Sequence, residues 1–349
     1  MRFSSADKKM SRALREGIFT AAVLLVAKSR NVLFHQTYGV LGQPGTSPTR
    51  PETLFDLASL TKVLAVTPSW ILMYTGDPRI LDLGIGRWFP HVPPDKHSIT
   101  PRHLLAHASG LPAWRPYYLL PAHRHTAEDT AARISAEPLE YFPGSACIYS
   151  DLGFILLGFI VERETGKKLD EFSRQSIYQP LGLAEDLLFC PENNNRIAMT
   201  RVGESPGLVN DLNARSLGGV SGHAGLFGTA KGVAALAGEI LSSLKGSGKL
   251  FDRENSRLFC SRAGFTPDSS RTLGFDTPSS EGSSSGHLFA KDSVGHTGFT
   301  GVSLWIDITR ELIVVLLTNR IFMGESDFRI KDFRPMIHDA VMECVLSEY

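Results

Sequence analysis

The stretch Phe55-Asp56-Leu57-Ala58-Ser59-Leu60-Thr61-Lys62 places a serine and a lysine three residues apart at the predicted start of a helix. Residues three apart lie on one helical face, so the Ser59 hydroxyl and the Lys62 amine are expected side by side. A serine becomes a good nucleophile when a neighbouring base takes its proton, and a lysine is such a base only if its pKa is lowered. The spacing therefore predicts a nucleophile with its activator. A Ser and a Lys three apart also occur by chance, at a helix turn with an exposed lysine.

The residues on either side of this stretch predict a rigid setting for Ser59. The segment 42–51 is rich in Gly and Pro, which indicates a connection. The helix after Ser59 is expected to be buried and to be interrupted at Pro68. Its apolar residues are Leu60, Val63, Leu64 and Val66.

The N-terminal segment has two interpretations. Basic residues followed by the apolar run 18–27 resemble a secretory signal peptide, but Asp7 and Glu16 interrupt the basic region. We favour a strand over 18–27, a turn, and a second strand over 32–38. No apolar run approaches the ~20 residues that a membrane-spanning helix needs. These features predict a cytoplasmic protein that does not interact with membranes.

Composition limits the classes of partner. The 349 residues contain 36 Lys plus Arg and 36 Asp plus Glu, without a basic cluster that would indicate nucleic-acid binding. The partner is therefore expected to be a small molecule. Four scattered cysteines form neither a zinc motif nor a disulfide framework, so reduced thiols are expected. His103 and His107 are four apart, but the glutamate of a zinc-protease helix is missing, which favours structural histidines. No cofactor and no metal is predicted.

The middle of the chain, from Leu81 to about Gly286, shows mostly helical patterns and loops, which predicts an all-helical region. Within it, a Pro-Gly turn precedes Tyr149-Ser150-Asp151 and the apolar helix 152–161. This arrangement places Tyr149 and Asp151 at the mouth of a helix. Ser150 or Asp151 is also a plausible helix cap.

Two later glycine-rich segments complete the candidate site. His223 lies in the run 217–227, where it either contacts a ligand or holds its own loop. The second segment, 295–301, contains His296-Thr297-Gly298 before a predicted hairpin of strands 302–307 and 312–318. An N–H there is suited to a developing oxyanion. A terminal helix over 333–349 is expected to pack on the sheet.

Together, Ser59-x-x-Lys62, Tyr149-Ser150-Asp151 and His296-Thr297-Gly298 resemble the three motifs of serine β-lactamases and penicillin-binding proteins. The tyrosine makes the match closest to the class C-like branch, with its D,D-peptidases, amidases and family VIII esterases. The resemblance implies an α/β (α+β) fold in which one antiparallel sheet from both chain ends, flanked by helices, carries an inserted all-helical lobe. A single domain 1–349 is expected, with an α/β lobe formed by 17–55 and 287–349 and a helical lobe formed by 56–286.

The resemblance also implies the roles of the site residues. Ser59 would be the acylated nucleophile, Lys62 and Tyr149 the shared base and acid, and the N–H groups of Ser59 and Phe299 the oxyanion hole. The family usually has Asn at the position of Asp151, and a carboxylate there should hold Lys62 as an ammonium. Tyr149, with its pKa lowered by that ammonium, then becomes the favoured base.

The third motif begins with His296 where the family has Lys, and a neutral histidine gives up a fixed positive charge for a substrate carboxylate. The main hypothesis is thus a serine hydrolase acting on a small ester or amide, including cell-wall-derived peptides. His223, His296, Thr297 and Gly298 would contact the substrate. The alternatives are a catalytically silent binding protein with the same fold, or a weak β-lactamase or D,D-carboxypeptidase. The oligomeric state stays open.

Overall fold

A five-stranded antiparallel sheet joins the two ends of the chain in the computed structural model, which describes residues 3–192 and 194–347. In spatial order its strands are β2 (Asn31–Gly39), β1 (Ala21–Lys28), β8 (Leu312–Thr318), β7 (Ser303–Asp307) and β6 (Val294–Thr297). Strand β1 pairs with β2 as the predicted hairpin and with β8 along its other edge. The predicted sheet from both chain ends is therefore confirmed.

Helices cover both faces of this sheet. The side chains of a strand alternate between its faces, and those of β1 are apolar on both. On one face, Ala22, Leu24 and Val26 pack with α1 (Ser4–Arg15) and α10 (Ile330–Leu346). On the other face, Ala21, Val23, Leu25 and Ala27 join the core of the helical lobe, and α8 (Ala230–Leu244) packs there. Helix α1 was not predicted from the sequence. Its core stripe, Ala6, Met10 and Ala13, has helical spacing, but two of the three are alanines in a strongly polar segment whose basic residues resemble those of a signal peptide.

The regular structure in the middle of the chain is mainly helical, but the prediction of an all-helical region was wrong, because two short strands there form part of a second sheet. The further helices are α2 (Thr67–Gly76), α3 (Pro101–Leu105), α4 (Ala127–Ala136), α5 (Asp151–Thr165), α6 (Leu169–Ser173), α7 (Leu212–Ser216) and α9 (Arg253–Cys260). In the second sheet β5 (Leu226–Gly228) lies between β3 (Phe55–Asp56) and β4 (Leu187–Phe189). Strands of two or three residues are too short to produce an alternating pattern, so the sequence did not predict them. Among the described residues, no helix is long and apolar enough to cross a bilayer.

The helix after Ser59 differs from its prediction at Pro68. A π-helical turn, Lys62–Val66, leads directly into α2, and the helix continues through Pro68 to Gly76. In a regular α-helix the Leu64 carbonyl would accept from residue 68, but proline has no N–H. The buried Tyr178 hydroxyl donates to this carbonyl instead, at 2.9 Å. The helix is therefore not interrupted, because a side chain from another helical segment replaces the missing donor.

The buried side chain of Asn319 fixes the junction where the chain ends meet. Its Oδ1 accepts from the N–H groups of Thr20 (3.1 Å) and Ala21 (2.8 Å). Its Nδ2 donates to Thr20 Oγ1 (2.8 Å) and to the Met199 carbonyl (3.0 Å). One amide thus ties the start of β1, the end of β8 and a loop of the helical lobe together.

Candidate active site

Ser59 lies at the end of a tight turn that connects β3 to its helix. Ala58, directly before it, has a φ of 45°, a conformation that costs energy for a residue with a Cβ. The Asp56 carboxylate supports the turn, because it accepts from Ala58 N (2.8 Å) and from Asn210 N (2.7 Å). Burial raises the pKa of Asp56 to about 6, while those two N–H groups act against the rise. The turn therefore presents Ser59 from a rigid, buried base.

Lys62 is completely buried and is surrounded by acceptors. Its Nζ lies 3.1 Å from Ser59 Oγ, 2.7 Å from Asp151 Oδ1 and 3.0 Å from the His223 carbonyl. Burial lowers the pKa of Lys62, but Asp151 and Tyr149 outweigh it and raise the pKa above its ordinary value. An ammonium group has three N–H bonds and no lone pair. Three acceptors around Nζ therefore match the charged form, as predicted from Asp151.

The two alternatives for Tyr149-Ser150-Asp151 are resolved by the start of α5. The Ser150 hydroxyl caps that helix, since it accepts from Gly153 N (3.3 Å) and donates to the Pro112 carbonyl (2.7 Å). The Asp151 side chain is thereby free to contact Lys62. Capping and charge pairing are divided between two neighbouring residues.

The Tyr149 ring packs among aromatic and cationic groups. Its centroid lies 4.6 Å from that of His107 and 5.8 Å from that of His296, with Lys62 Nζ 4.9 Å away. Lys62 and Ser59 both act to lower the pKa of its hydroxyl. Desolvation nevertheless raises the pKa of Tyr149, and the opposing effect of Lys62 is smaller. Lys62 does act to lower this pKa, as expected, but burial, together with the Asp151 carboxylate, outweighs it, so the pKa lies above its ordinary value and not near neutrality.

His107, which stacks on Tyr149, and its neighbour His103 both have structural hydrogen bonds. His103 Nδ1 forms a capping box with Thr100, and His107 Nδ1 accepts from Ser150 N at 3.0 Å. These contacts agree with the structural interpretation of the two histidines.

The third motif lies on the edge strand β6 and in the turn after it, against the Ser59 turn. The Thr300 hydroxyl donates to the Asp56 carbonyl at 2.7 Å, and a Cβ at Gly298 would lie 2.8 Å from the Leu57 carbonyl oxygen. Only glycine allows this close approach. Among residues 3–192 and 194–347, the N–H groups of Ser59 and Phe299 have no hydrogen-bond acceptor. Two free donors from adjacent turns are what an oxyanion hole requires.

His296 is buried, and its Nδ1 donates to the Thr297 carbonyl at 2.8 Å. Burial, followed by the charges of Lys62 and Arg271, lowers the pKa of His296 well below its ordinary value. The ring is therefore neutral, and it does not supply the fixed positive charge of the lysine that the family has at this position. Its Nε2 is buried and has no partner in the described part of the chain.

His223 holds its own loop, one of the two roles that the sequence left open. The ring bonds Asp211 Oδ1 through Nε2 (2.8 Å) and Ser221 Oγ through Nδ1 (2.9 Å), so both nitrogens are engaged. Burial acts to raise the pKa of Asp211, but His223 outweighs it and the pKa falls to about 2. The loop in turn supplies the carbonyl that accepts from Lys62. His223 also borders the cleft.

A cavity of about 700 Å³ is lined by residues from each of the three motifs and by several that the sequence did not reveal, whereas Lys62 is fully buried and is not part of its wall. Predicted residues on its wall include Ser59, Tyr149, Asp151, His223, His296, Thr297, Gly298 and Phe299. Arg271 contributes a cation whose guanidinium carbon lies 5.4 Å from the Tyr149 ring centroid. It forms an ion pair with Asp276, in which Nη1 lies 3.5 Å from Oδ2. Arg271 and Arg334 lie outside any motif and gave no signal. Asp211 caps α7, which was its only sequence signal.

Comparisons with known proteins agree on the family. A family model described as Beta-lactamase matches residues 6–333. An Escherichia coli (strain K12) protein named "Putative D-alanyl-D-alanine carboxypeptidase" is 30% identical, over 91% of this chain and 82% of the relative. The "N-acetylmuramyl-L-alanine amidase" of Bacillus subtilis (strain 168) is 32% identical, over 90% of this chain and 80% of the relative. The solved structure of EstCE1, a hydrolase with promiscuous acyltransferase activity, has a TM-score of 0.77 at 23% identity and covers 98% of both chains.

Proposed function

Because this chain belongs to the beta-lactamase family, we propose that it is a serine hydrolase that forms an acyl-enzyme on Ser59 with a small ester or amide. The observation that carries the proposal is the 3.1 Å contact between Lys62 Nζ and Ser59 Oγ beside the Tyr149 hydroxyl. Nucleophile and phenol line a cavity to which Phe299 also contributes, and the buried ammonium of Lys62 contacts the nucleophile.

The acylation step uses Tyr149 as the base. Lys62 donates to Ser59 Oγ and has no lone pair as an ammonium, so the serine proton must go to another group. In this proposal the proton passes to Tyr149 in the phenolate form, which Lys62 stabilises, while Oγ bonds to the substrate carbonyl carbon. The bond to the leaving group breaks, and Tyr149 returns the proton to the departing oxygen or nitrogen. Water then attacks the ester on Ser59 by the same route and releases the acid.

Labelling with a fluorophosphonate probe, followed by intact mass, tests this proposal. The wild-type protein should gain the mass of one phosphonyl group, and Ser59→Ala should gain none. An activated ester such as p-nitrophenyl acetate should give a burst of product only with Ser59 present. A wild-type protein that stays unlabelled would favour the silent binding protein, and a labelled Ser59→Ala variant would refute the assignment of the nucleophile.

A cell-wall-derived peptide or amide is the substrate class that we propose. The names of the two curated relatives support it, since one is called a carboxypeptidase and the other an amidase. Arg271 adds support, because its guanidinium, which also pairs with Asp276, places a positive charge in the cleft where His296 is neutral. A simple ester remains the competing substrate.

Substrate charge separates these two possibilities. If Arg271 binds a substrate carboxylate, Arg271→Gln should raise the KM for an acyl-D-Ala peptide and leave the KM for a neutral ester nearly unchanged. Equal effects on both substrates would contradict an anionic substrate.

We also propose a cytoplasmic location, which the sequence led us to expect. All four cysteines are free thiols, as in proteins of reducing compartments. Immunoblotting of separated cellular fractions tests this, and recovery outside the cytoplasm would refute it.

A further inference from the structure

The turn that carries the Phe299 N–H is held by two buried arginines. Arg320 donates from Nε to the Phe299 carbonyl (2.8 Å), and its guanidinium carbon lies 4.4 Å from the centroid of the Phe299 ring. Arg334, on α10, donates from Nη2 to the carbonyls of Gly298 and Val302 (3.0 Å for Val302) and from Nε to that of Gly301 (3.3 Å). The exposed fractions are 3% for Arg320 and 7% for Arg334, so both cations are withdrawn from water.

Arg334 has an unusual set of partners for a buried charge. Its hydrogen bonds go to backbone carbonyl oxygens, and no Asp or Glu in the described part of the chain forms an ion pair with it. Burial, and then the charge of Arg320, lowers the pKa of Arg334 to about 9, which leaves it charged at neutral pH. A buried cation without a counter-ion costs free energy, and here only hydrogen bonds to carbonyl oxygens offset that cost.

The position matters because the Gly298 carbonyl and the Phe299 N–H belong to the same peptide group. A donor on the carbonyl of an amide polarises the whole group and strengthens the bond that its N–H donates. A charged donor has a larger effect, since charge-assisted hydrogen bonds are roughly twice as strong as neutral ones. The Gly298 carbonyl also accepts from Gly301 N at 3.1 Å, so it has two donors.

The other N–H of the proposed oxyanion hole has a similar arrangement. The Ser59 N–H belongs to the same peptide group as the Ala58 carbonyl. This carbonyl accepts from Thr61 N (3.0 Å) and from Thr61 Oγ1 (2.6 Å). Both peptides that offer a free N–H therefore have a carbonyl with two donors. Only the Phe299 side uses a cation.

We propose that Arg334 is a positioning residue of the oxyanion hole, which orients the Gly298–Phe299 peptide and polarises its N–H toward the substrate carbonyl. This inference rests on the proposed function. The charge of Arg334 would act in the transition state, when the carbonyl oxygen becomes negative, and much less in the ground state. Loss of the charge should thus lower kcat and kcat/KM together and leave KM nearly unchanged.

Arg334→Gln tests the charge, because glutamine keeps a neutral donor. We expect kcat to fall by about tenfold or more, below the ~10²–10³-fold cost of losing a complete oxyanion-hole donor. Arg334→Lys keeps the charge and should retain more activity than Arg334→Gln. If Arg334→Gln does not fold, the lysine variant still decides, since an ammonium cannot reproduce the guanidinium contacts and kcat should fall measurably, by less than tenfold, at an unchanged KM, whereas a kcat equal to that of wild type would overturn the role.

The infrared stretch of the acyl carbonyl on Ser59 gives a readout that a purely structural role would not move. Weaker donation to this oxygen should shift the band to higher wavenumber in Arg334→Gln. Arg320→Gln is the matched control, because it removes a buried guanidinium from the same turn but leaves the Gly298 carbonyl paired with Arg334. Its band should stay at the wild-type position.

An unshifted band in Arg334→Gln, or a rise in KM at constant kcat, would overturn the role of Arg334. Equal shifts in both variants would also overturn it, since they would show a general loosening of the turn. These outcomes differ from a failure of the proposed function, in which the wild-type protein itself forms no acyl-enzyme on Ser59.

Discussion

Lys62 combines complete burial with a positive charge, and its three acceptors explain how it keeps both. Of these acceptors only Asp151 bears a charge. The carboxylate raises the pKa of Lys62, and its negative charge also contributes to the raised pKa of Tyr149. Asp151 therefore favours the protonated form of both Lys62 and Tyr149, in addition to the larger effect of burial on Tyr149.

This arrangement predicts how activity depends on pH. Both groups hold their protons below raised pKa values, so the base form is populated only as pH rises and kcat/KM should increase on the alkaline side of neutrality. Asp151→Asn removes a cause of both raised pKa values and should move this rise to lower pH. The pH profile of kcat/KM for a neutral ester measures the shift.

Asp129→Asn, on α4 and outside the cleft, is the control and should leave the profile unchanged. A profile that stays in place in Asp151→Asn, or moves to higher pH, would contradict this account. Asp151→Asn also removes a negative charge from the cleft, so its kcat/KM should improve more for an anionic amide than for the neutral ester.

Tyr149→Phe tests the proton carrier directly. The rate of acylation should fall by about 10²–10⁴-fold, the usual contribution of general-base catalysis. Tyr117→Phe is the matched control, because its hydroxyl bonds Glu137 away from the cleft. Near-normal kcat in Tyr149→Phe would exclude the phenol as the base.

Motif spacing was enough to predict which residues meet at the nucleophile, but it did not predict their proton affinities. Ser59, Lys62, Tyr149 and His296 come from three motifs that are diagnostic when their residue types, order and spacing are taken together. The raised pKa of Tyr149 depends instead on how far the fold removes its hydroxyl from water. Arg334 and Arg271 are single residues in ordinary surroundings, and only the folded chain brings them to the cleft.

At the scale of elements, the helix that carries Lys62 depends on a partner elsewhere in the helical lobe. The π-helical turn and Pro68 leave the Leu64 carbonyl to the Tyr178 hydroxyl. Tyr178→Phe should therefore lower the free energy of unfolding by about 1–3 kcal/mol, the cost of a buried group without its partner. Denaturant unfolding with an unchanged m-value measures this.

Tyr38→Phe offers a comparison, since its hydroxyl bonds the Asp7 carboxylate in a part-buried contact that water can replace. The free energy of unfolding should fall less in Tyr38→Phe than in Tyr178→Phe. If both variants unfold at the wild-type midpoint, the hydroxyl does not support the helix.

Elements were predictable where the pattern is long. The hairpin predicted over 18–27 and 32–38 is observed as β1 and β2 with ends shifted by a few residues, and the helix predicted over 152–161 extends over Asp151–Thr165. The π-helical turn and the second sheet were not predictable, because each depends on contacts between distant segments. The helix continues through Pro68 for the same reason, since the distant Tyr178 hydroxyl donates to the Leu64 carbonyl.

At the scale of the molecule, Asn319 connects both chain ends to the helical lobe. Asn319→Ala would leave the N–H groups of Thr20 and Ala21 and the Met199 carbonyl without this partner. We expect a loss of about 3 kcal/mol or more in the free energy of unfolding, because several buried groups lose partners at once. Thermal or denaturant unfolding measures it.

Asn255→Ala is a matched change at an exposed amide that bonds Thr75. It should stay within about 0.5 kcal/mol of wild type, as surface substitutions usually do. Similar stabilities of the two variants would mean that the junction at Asn319 is not a main tie.

The pairing of β1 with β8 also affects how the protein is made. Lys28 pairs with Leu312 and Ala22 with Thr318, so β1 leaves the ribosome long before the strand that it pairs with. At roughly 5–20 residues per second this interval is on the order of 15–60 s. During that time the apolar run of β1 has one edge without its partner, which invites association with other chains. Ribosome-bound chains stalled before residue 312 should thus bind holdase chaperones and be cut by protease within β1, whereas resistance at that stage would show that β1 is already protected.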